Sequence, residues 1–141
     1  MNTPETKLNP GDTMKDGTIF AGISPDTGKP MYTTPTDAPL SEFFNNTVRT
    51  YDFKDARTYA NTLDAHSHQD WRIPTKEELN VLFNNRAAIG NFNLRSSQPS
   101  GLYWSSSRGP LGLGIEIKCF GDGQQTSLWK SCGYAYLRCV R

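Results

Sequence analysis

Apolar residues recur with helical spacing in the middle of the chain. Leu79, Leu82 and Phe83 lie three and four positions apart, and Arg86 follows three positions later. Three apolar side chains therefore share one face of a helix, while a cation in the last turn suits the helix dipole. The pattern predicts an amphipathic helix that extends to Arg86.

The start of this helix is marked by residue chemistry. Pro74 favours an extended residue before it, and Thr75 with Glu78 three positions later has the spacing of a capping box. Trp71 and Ile73 precede the cap. We expect both to enter the same core as the helix.

A second helical pattern comes earlier in the chain. Phe53, Ala56, Ala60 and Leu63 recur at helical intervals behind Asp52, a residue type that caps helices. This helix is predicted to pack against the first.

Strand-like segments stand on both sides of the helices. Residues 18–23 and 29–33 flank a Ser-Pro-Asp-Thr-Gly turn and predict a hairpin, whereas residues 41–48 favour a short helical turn. Three more strands are predicted at residues 102–106, 115–120 and 134–140. The order of elements predicts the α+β class: two helices packed on a small antiparallel sheet with long irregular loops.

The 141 residues fit one domain, predicted at residues 17–141 behind a flexible leader at residues 1–16. The leader lacks the apolar region of a signal peptide, and no apolar run reaches a membrane-spanning length. We therefore expect synthesis in the cytoplasm and no membrane insertion. A virion or cell-surface destination by another route stays open.

A formal charge of +1 gives no general attraction to nucleic acid. The three cysteines show no Cys-x-x-Cys spacing, which argues against a secreted disulfide scaffold and a zinc knuckle. Cys139 lies in an apolar run and is predicted to be buried.

Two chemical constellations have simpler structural explanations. Asp64, His66, His68 and Asp70 alternate as metal ligands could, but a polar connector is favoured because no distant ligand is evident. The serines at residues 105–107 lack the Gly-x-Ser-x-Gly context of a nucleophile. We expect no enzyme activity, no metal and no cofactor.

The C-terminal third also contains aromatic and aliphatic residues between glycines. Rigid aromatic side chains provide contact area at low entropic cost, so this cluster favours a protein-binding surface. The alternative is that about half of them face the core. The cluster comprises Leu111, Leu113, Leu128, Trp129, Tyr134 and Tyr136.

Three ordered motifs carry a family resemblance. The chain has Trp-Arg-Ile-Pro-Thr at residues 71–75, Tyr-Trp-Ser-Ser at residues 103–106 and Arg-Cys-Val-Arg at residues 138–141. In these it resembles the collagen-like-protein C-terminal domain family. That resemblance implies a C-type-lectin-like fold in which irregular loops present the ligand site.

Further segments, at residues 26–30 and 83–90, resemble phage and prophage variable proteins diversified by retroelements. The resemblance implies a variable region at about residues 105–136, rewritten at template adenines. Mutated Asn codons do not yield Trp, Lys, Glu, Gln or Met. The positions expected to be fixed or differently templated are Glu116, Lys118, Gln124, Gln125, Trp129 and Lys130.

The remaining polar, small, aliphatic and tyrosine positions are the candidates for variation, with Cys132 among them. The predicted ligand-binding surface leaves out Cys132 and adds Trp129. Its residues are Arg108, Pro110, Leu111, Leu113, Ile115, Ile117, Thr126, Ser127, Leu128, Trp129, Ser131 and Tyr134.

The chain departs from its relatives in two respects. Tyr59 and Ala60 stand where many relatives have a helix cysteine, so Cys139 is expected to lack that bridge, and residues 109–114 are unusually rich in Gly and Leu. Gln-Pro-Ser at residues 98–100, without Trp-Asn-Asp, does not support calcium-mediated sugar binding.

The sequence thus predicts a non-enzymatic receptor-binding or display domain. Its partner is expected to be an unidentified macromolecule, either a protein or a cell-surface receptor, and a homo-oligomer stays open. The alternatives are an oxidase of the formylglycine-generating type and a structural virion or adhesin module.

Overall fold

The computed structural model describes residues 7–43, 47–95, 101–129 and 133–141 of the chain. These residues form a small α+β fold with antiparallel sheets, as the pattern predicts. Within them, no helix is both long and apolar enough to cross a bilayer.

The predicted N-terminal hairpin is confirmed. Strand β1 (Ile19–Ile23) pairs antiparallel with β2 (Pro30–Thr33), and the register shifts between Phe20 and Gly22. A Cβ atom at Gly22 would lie 2.9 Å from Cγ1 of Val81. Glycine therefore permits the close approach of β1 to the central helix.

The predicted helical turn at residues 41–48 is wrong. Ser41–Phe43 (β3) and Thr47–Arg49 (β4) form a second antiparallel hairpin, while residues 44–46 lie outside the described part. The sequence of β4 contains two β-branched residues, which favour strand over helix.

Helix α1 (Phe53–Thr62) begins where the sequence predicts. The Asp52 carboxylate accepts a hydrogen bond of 2.8 Å from the Asp55 amide, which caps the helix. Phe53, Ala56 and Ala60 form its buried face.

The central helix α2 (Lys76–Asn84) has the predicted capping box. Thr75 accepts from the Glu78 amide, and the Glu78 carboxylate accepts from the Thr75 amide. The helix ends earlier than predicted, at Asn84, with Asn85 as its C-cap, and a short helix α3 (Arg86–Ile89) follows.

The main sheet has the order β5–β6–β7, formed by Leu102–Arg108, Ile115–Cys119 and Gln125–Leu128, with antiparallel pairing throughout. The sequence predicts β5 and β6 but not β7. Residues 125–128 are mostly polar, so they give no strand-like alternation of core positions.

Residues 134–140 are extended but do not form the predicted strand. They make single bridges to several elements, as where Ala135 pairs with Tyr51 and Val140 pairs with Arg72. Because the partner changes from residue to residue, no continuous ladder develops.

The main sheet separates two hydrophobic cores, since adjacent residues of a strand point to opposite faces. Tyr103 belongs to one core and Trp104 to the other. The α1-side core includes Phe53, Ala56, Ala60, Trp71, Ile73, Leu102, Trp104, Ile115, Ile117, Ala135, Leu137 and Cys139. The α2-side core includes Ile19, Ala21, Met31, Leu79, Leu82, Ile89, Tyr103, Phe120 and Val140.

This division corrects two predictions. The buried faces of α1 and α2 contribute to different cores, so the helices are not mutual packing partners. Trp71 and Ile73 are buried as expected, but in the α1-side core.

The predicted boundary of the leader also changes. The Gly11 amide donates to Phe20 (2.8 Å), and the Phe20 amide donates to Asp12 (2.9 Å), so residues 11–16 belong to the folded body. Residues 1–6 of the predicted leader lie outside the described residues.

A candidate ligand-binding cleft

An open cleft of about 570 Å³ lies between α1, the end of β5 and the loop at residues 109–114. The sequence-predicted surface contributes four residues to it. The cleft is lined by Phe53, Arg57, Asn61, Arg72, Ile73, Thr75, Ser106, Arg108, Gly112, Leu113, Gly114, Ile115 and Trp129.

One wall of the cleft is a stripe along α1. Phe53, Arg57 and Asn61 are spaced four residues apart, so they lie above one another on the helix surface. Phe53 is buried and meets Trp104 edge to face, with ring centroids 5.4 Å apart. The buried ring thus fixes the helix that presents Arg57.

The opposite wall is the loop at residues 109–114, which we call the glycine loop. The Gly109 amide donates to Gly114 (3.1 Å) and closes the loop at its base. Leu111 at its tip has φ of 58° and an exposed fraction of 95%. Leu113 is 54% exposed. The loop therefore displays two aliphatic side chains that no core covers.

Arg72 lies at the back of the cleft, where a carboxylate neutralises it. Its Nη2 donates to Glu78 Oε2 at 2.7 Å, and its Nη1 donates to Oε1 of the same buried carboxylate. Burial alone would raise the pKa of Glu78. The hydrogen bonds from Arg72, Ser24 and the Thr75 amide outweigh that effect and lower its pKa to about 2.

Arg57 and Arg108 differ from Arg72. Both are exposed, and among residues 7–43, 47–95, 101–129 and 133–141 neither forms an ion pair. No Asp or Glu of the described chain lines the cleft. Its mouth therefore carries two uncompensated guanidinium groups beside Trp129, which is 60% exposed.

Most residues of the sequence-predicted surface do reach solvent. The exposed ones are Arg108, Pro110, Leu111, Leu113, Thr126 and Trp129. The partly exposed ones are Ser127, Leu128 and Tyr134. Ser131 and Cys132 lie outside the described residues.

Ile115 and Ile117 require a correction. Both are buried in the α1-side core, because alternate residues of β6 point inward toward α1. Ile117 does not line the cleft, and Ile115 lines it only as a buried residue, so neither is an exposed contact residue.

Nine of the thirteen residues that line the cleft were not predicted as site residues, and five of these nine are polar. The α1 stripe has a recognisable signal, since Arg57 and Asn61 follow the predicted core residue Phe53 at helical spacing. No sequence spacing points to the other three polar residues, because only the tertiary fold brings them to the cleft; they are Arg72, Thr75 and Ser106.

Side chains of the polar segment at residues 64–70 contact Asp16, which precedes β1, and the C-terminal Arg141. His68 Nε2 lies 2.7 Å from Asp16 Oδ2, His66 Nδ1 lies 2.9 Å from the Asp16 carbonyl oxygen, and Arg141 Nε donates to Asp70 at 2.6 Å. Within the described part of the chain, no three potential metal ligands come together.

Ser105 and the described cysteines, the candidate nucleophiles, are buried side chains. Ser105 is buried and donates a 2.7 Å hydrogen bond to the Glu116 carbonyl oxygen. Cys119 and Cys139 are buried free thiols, and burial raises the pKa of Cys139 to about 12.

Comparison with known proteins gives one family. Curated protein sequences yield no match to the chain. The sequence model of the Lcl C-terminal domain matches residues 28–141, which include the helices α1, α2 and α3, the main sheet and every described residue of the cleft. The chain therefore belongs to the Lcl C-terminal domain family.

Proposed function

We propose that this protein is a non-enzymatic binding domain that holds a macromolecular ligand on its C-terminal face. This face consists of the glycine loop, β7 and Trp129. In the proposal the scaffold is C-type-lectin-like, and the face is diversified by a retroelement of the phage or prophage type. The domain is displayed on a virion or cell surface, where its ligand is a protein or receptor.

The exposure of apolar side chains on one face carries the proposal. Leu111, Leu113 and Trp129 expose half or more of their surface, and the last two border the same cleft. Exposed apolar surface rimmed by polar groups is typical of interaction sites. The two separate cores beneath it keep the face in place without using these side chains.

The local environment of the face supports tolerance to substitution. Leu111 is 95% exposed and makes almost no contact with the body, and Arg108 and Thr126 are exposed as well. Changes at such positions cost the fold little. Diversification without loss of folding requires positions of this kind.

Sequencing of sister gene copies tests the diversification. We expect substitutions at the exposed positions, such as Arg108, Leu111 and Thr126, and conservation of the buried Ile115 and Ile117. Substitutions scattered equally through α1 and α2 would contradict the proposal.

A binding experiment tests the ligand-holding face. The Leu111→Ser/Leu113→Ser variant should lose at least tenfold in affinity for a solubilised cell-surface extract, measured by biolayer interferometry. Leu94→Ser is the matched control, because Leu94 is 52% exposed and lies outside the face. Equal binding by the wild type and both variants would contradict the proposal.

The two thiols that the structure describes favour this proposal over the oxidase alternative. A thiolate is the reactive form of cysteine, and a pKa near 12 leaves Cys139 almost entirely protonated at neutral pH. Cys119 is also buried. The structural-module alternative is distinguished by the binding experiment, since it predicts no specific capture by either form.

A further inference from the structure

We infer that the ligand enters as an extended acidic peptide segment of a protein partner, which pairs with the open edge of β7 and places a carboxylate between Arg57 and Arg108. This inference rests on the proposed function and specifies its ligand. Three features of the described residues carry it: charge, apolar surface and a free strand edge.

The charge of the cleft selects an anion. Arg57 and Arg108 approach it from α1 and β5, and neither has an acidic partner among the described residues. A guanidinium group presents a planar fork of donors that matches a carboxylate. Arg72 adds no uncompensated charge, since the Glu78 carboxylate accepts from two of its nitrogens and neutralises it.

The apolar surface selects a ligand with hydrocarbon side chains. Trp129 offers a flat ring that many ligands could stack on, including sugars. Leu111 and Leu113 are aliphatic and widely exposed, and a hydroxyl-rich sugar gains little from covering them. An apolar side chain beside the carboxylate does cover them, which favours a peptide.

The edge of the sheet selects an extended backbone. The Cys119 amide donates to Gln124, so the alternating pattern directs the amide and carbonyl groups of Gln125 and Ser127 away from β6. No described residue hydrogen-bonds these backbone groups. A strand edge of this kind accepts an added peptide strand.

Sheet register connects this edge to the cleft. Arg108 pairs with Ile115, and Ile115 pairs with Leu128. Arg108 therefore lies two strand spacings, about 10 Å, from β7 and three spacings, about 14 Å, from a strand added to its open edge, a distance that an Arg and a Glu side chain span together. Trp129 follows β7 directly and lines the cleft. A peptide along β7 can thus direct an acidic side chain toward the guanidinium groups.

Selection from a phage-displayed random heptapeptide library tests the inference. The wild-type chain should enrich peptides that combine Asp or Glu with an adjacent apolar residue. Those peptides, synthesised and titrated while Trp fluorescence is followed, should bind the Arg57→Gln/Arg108→Gln variant at least tenfold more weakly. Replacement of their acidic residues by Asn or Gln should weaken binding to the wild type equally.

Arg95→Gln is the matched control, because Arg95 is exposed and does not line the cleft. It should bind the selected peptides with an affinity within twofold of the wild type.

Enriched peptides that lack acidic residues, or that bind the double variant as well as the wild type, would overturn the inference while the proposed function stands. A sulfated hexasaccharide that binds the same arginines more tightly than every selected peptide would also overturn it. If neither the wild type nor any variant binds a peptide, the oligosaccharide or the cell-surface extract, the proposed function fails as well.

Discussion

Arg138 and Asp37 form an ion pair in which the arginine side chain is completely buried. Arg138 Nε donates to Asp37 Oδ1 at 2.8 Å, and the guanidinium carbon lies 4.0 Å from the centre of the Phe92 ring. Tyr103 donates to the other carboxylate oxygen at 2.6 Å. Burial raises the pKa of Asp37 despite the nearby cation. The pair joins the C-terminal segment to the loop that follows β2.

Removal of the cation should destabilise the fold strongly. Arg138→Leu leaves the partly buried Asp37 carboxylate without its cation and also frees the carbonyl oxygens of Thr34 and Gly90, which accept from Arg138 at 2.9 and 3.1 Å. We expect a loss of about 3 kcal/mol or more in the free energy of unfolding, measured with urea. Arg57→Leu, a substitution at an exposed arginine, should change the free energy of unfolding by no more than about 0.5 kcal/mol relative to the wild type. Similar values for both variants would contradict the structural role of the pair.

Glu78 should make the stability depend on pH in the acid range. Its pKa in the folded protein is about 2, against an ordinary value of 4.5. Because the folded pKa is depressed, the stabilisation is present above pH 4.5 and is lost as the pH falls through 2. As the pH falls from 4.5 to 2, the free energy of unfolding of the wild type should decrease by about 3 kcal/mol more than that of Glu78→Gln. Urea unfolding at each pH measures this difference.

The neighbouring Glu77 provides the control for this measurement. It lies on the same helix but is exposed, so Glu77→Gln should retain the acid dependence of the wild type. If both variants lost the acid dependence of stability to the same extent, Glu78 would not be the group responsible for it.

Cys139 should be inert in the folded protein. Its thiol is buried, and its pKa is raised to about 12. At pH 8 we expect alkylation by iodoacetamide at least about 100-fold slower than for a free model thiol, followed by normal reaction in denaturant. Peptide mass spectrometry locates the label. Rapid alkylation of native Cys139 would show that the α1-side core is open there.

Two glycines with similar backbone angles should respond differently to alanine. Gly101 has φ of 81° and Gly112 has φ of 73°, so both substitutions bring backbone strain of about 1 kcal/mol. A Cβ atom at Gly101 would also collide with the Arg95 carbonyl oxygen, whereas the space around Gly112 is open. Thermal unfolding should therefore show a much larger loss for Gly101→Ala. Equal losses would mean that the contact at Arg95 is absent.

Local chemistry allowed the helix starts and the first hairpin to be predicted. The capping residues Asp52 and Thr75 act within three positions of the amides they satisfy, so sequence spacing is sufficient to identify them. The turn between β1 and β2 is equally local. Burial of Cys139 also followed from its apolar surroundings.

Features that depend on distant residues could not be predicted in this way. β7 is polar and is a strand only because β6 lies beside it. Ile115 and Ile117 looked available for ligand contact, although the position of α1 decides that they are covered. Arg72 reaches the cleft because Glu78 holds it there, a pairing that helical spacing does not indicate.

The bridges made by the C-terminal segment have a consequence for folding during synthesis. Ala135 joins Tyr51, Tyr136 joins Tyr103, and Val140 joins both Arg72 and Thr33. Segments synthesised early therefore pair with residues that are synthesised 33 to 107 positions later, and such high contact order slows folding. A nascent chain stalled before residue 134 should display separate hairpins and helices that a chaperone would recognise, and should acquire its cooperative transition only after release.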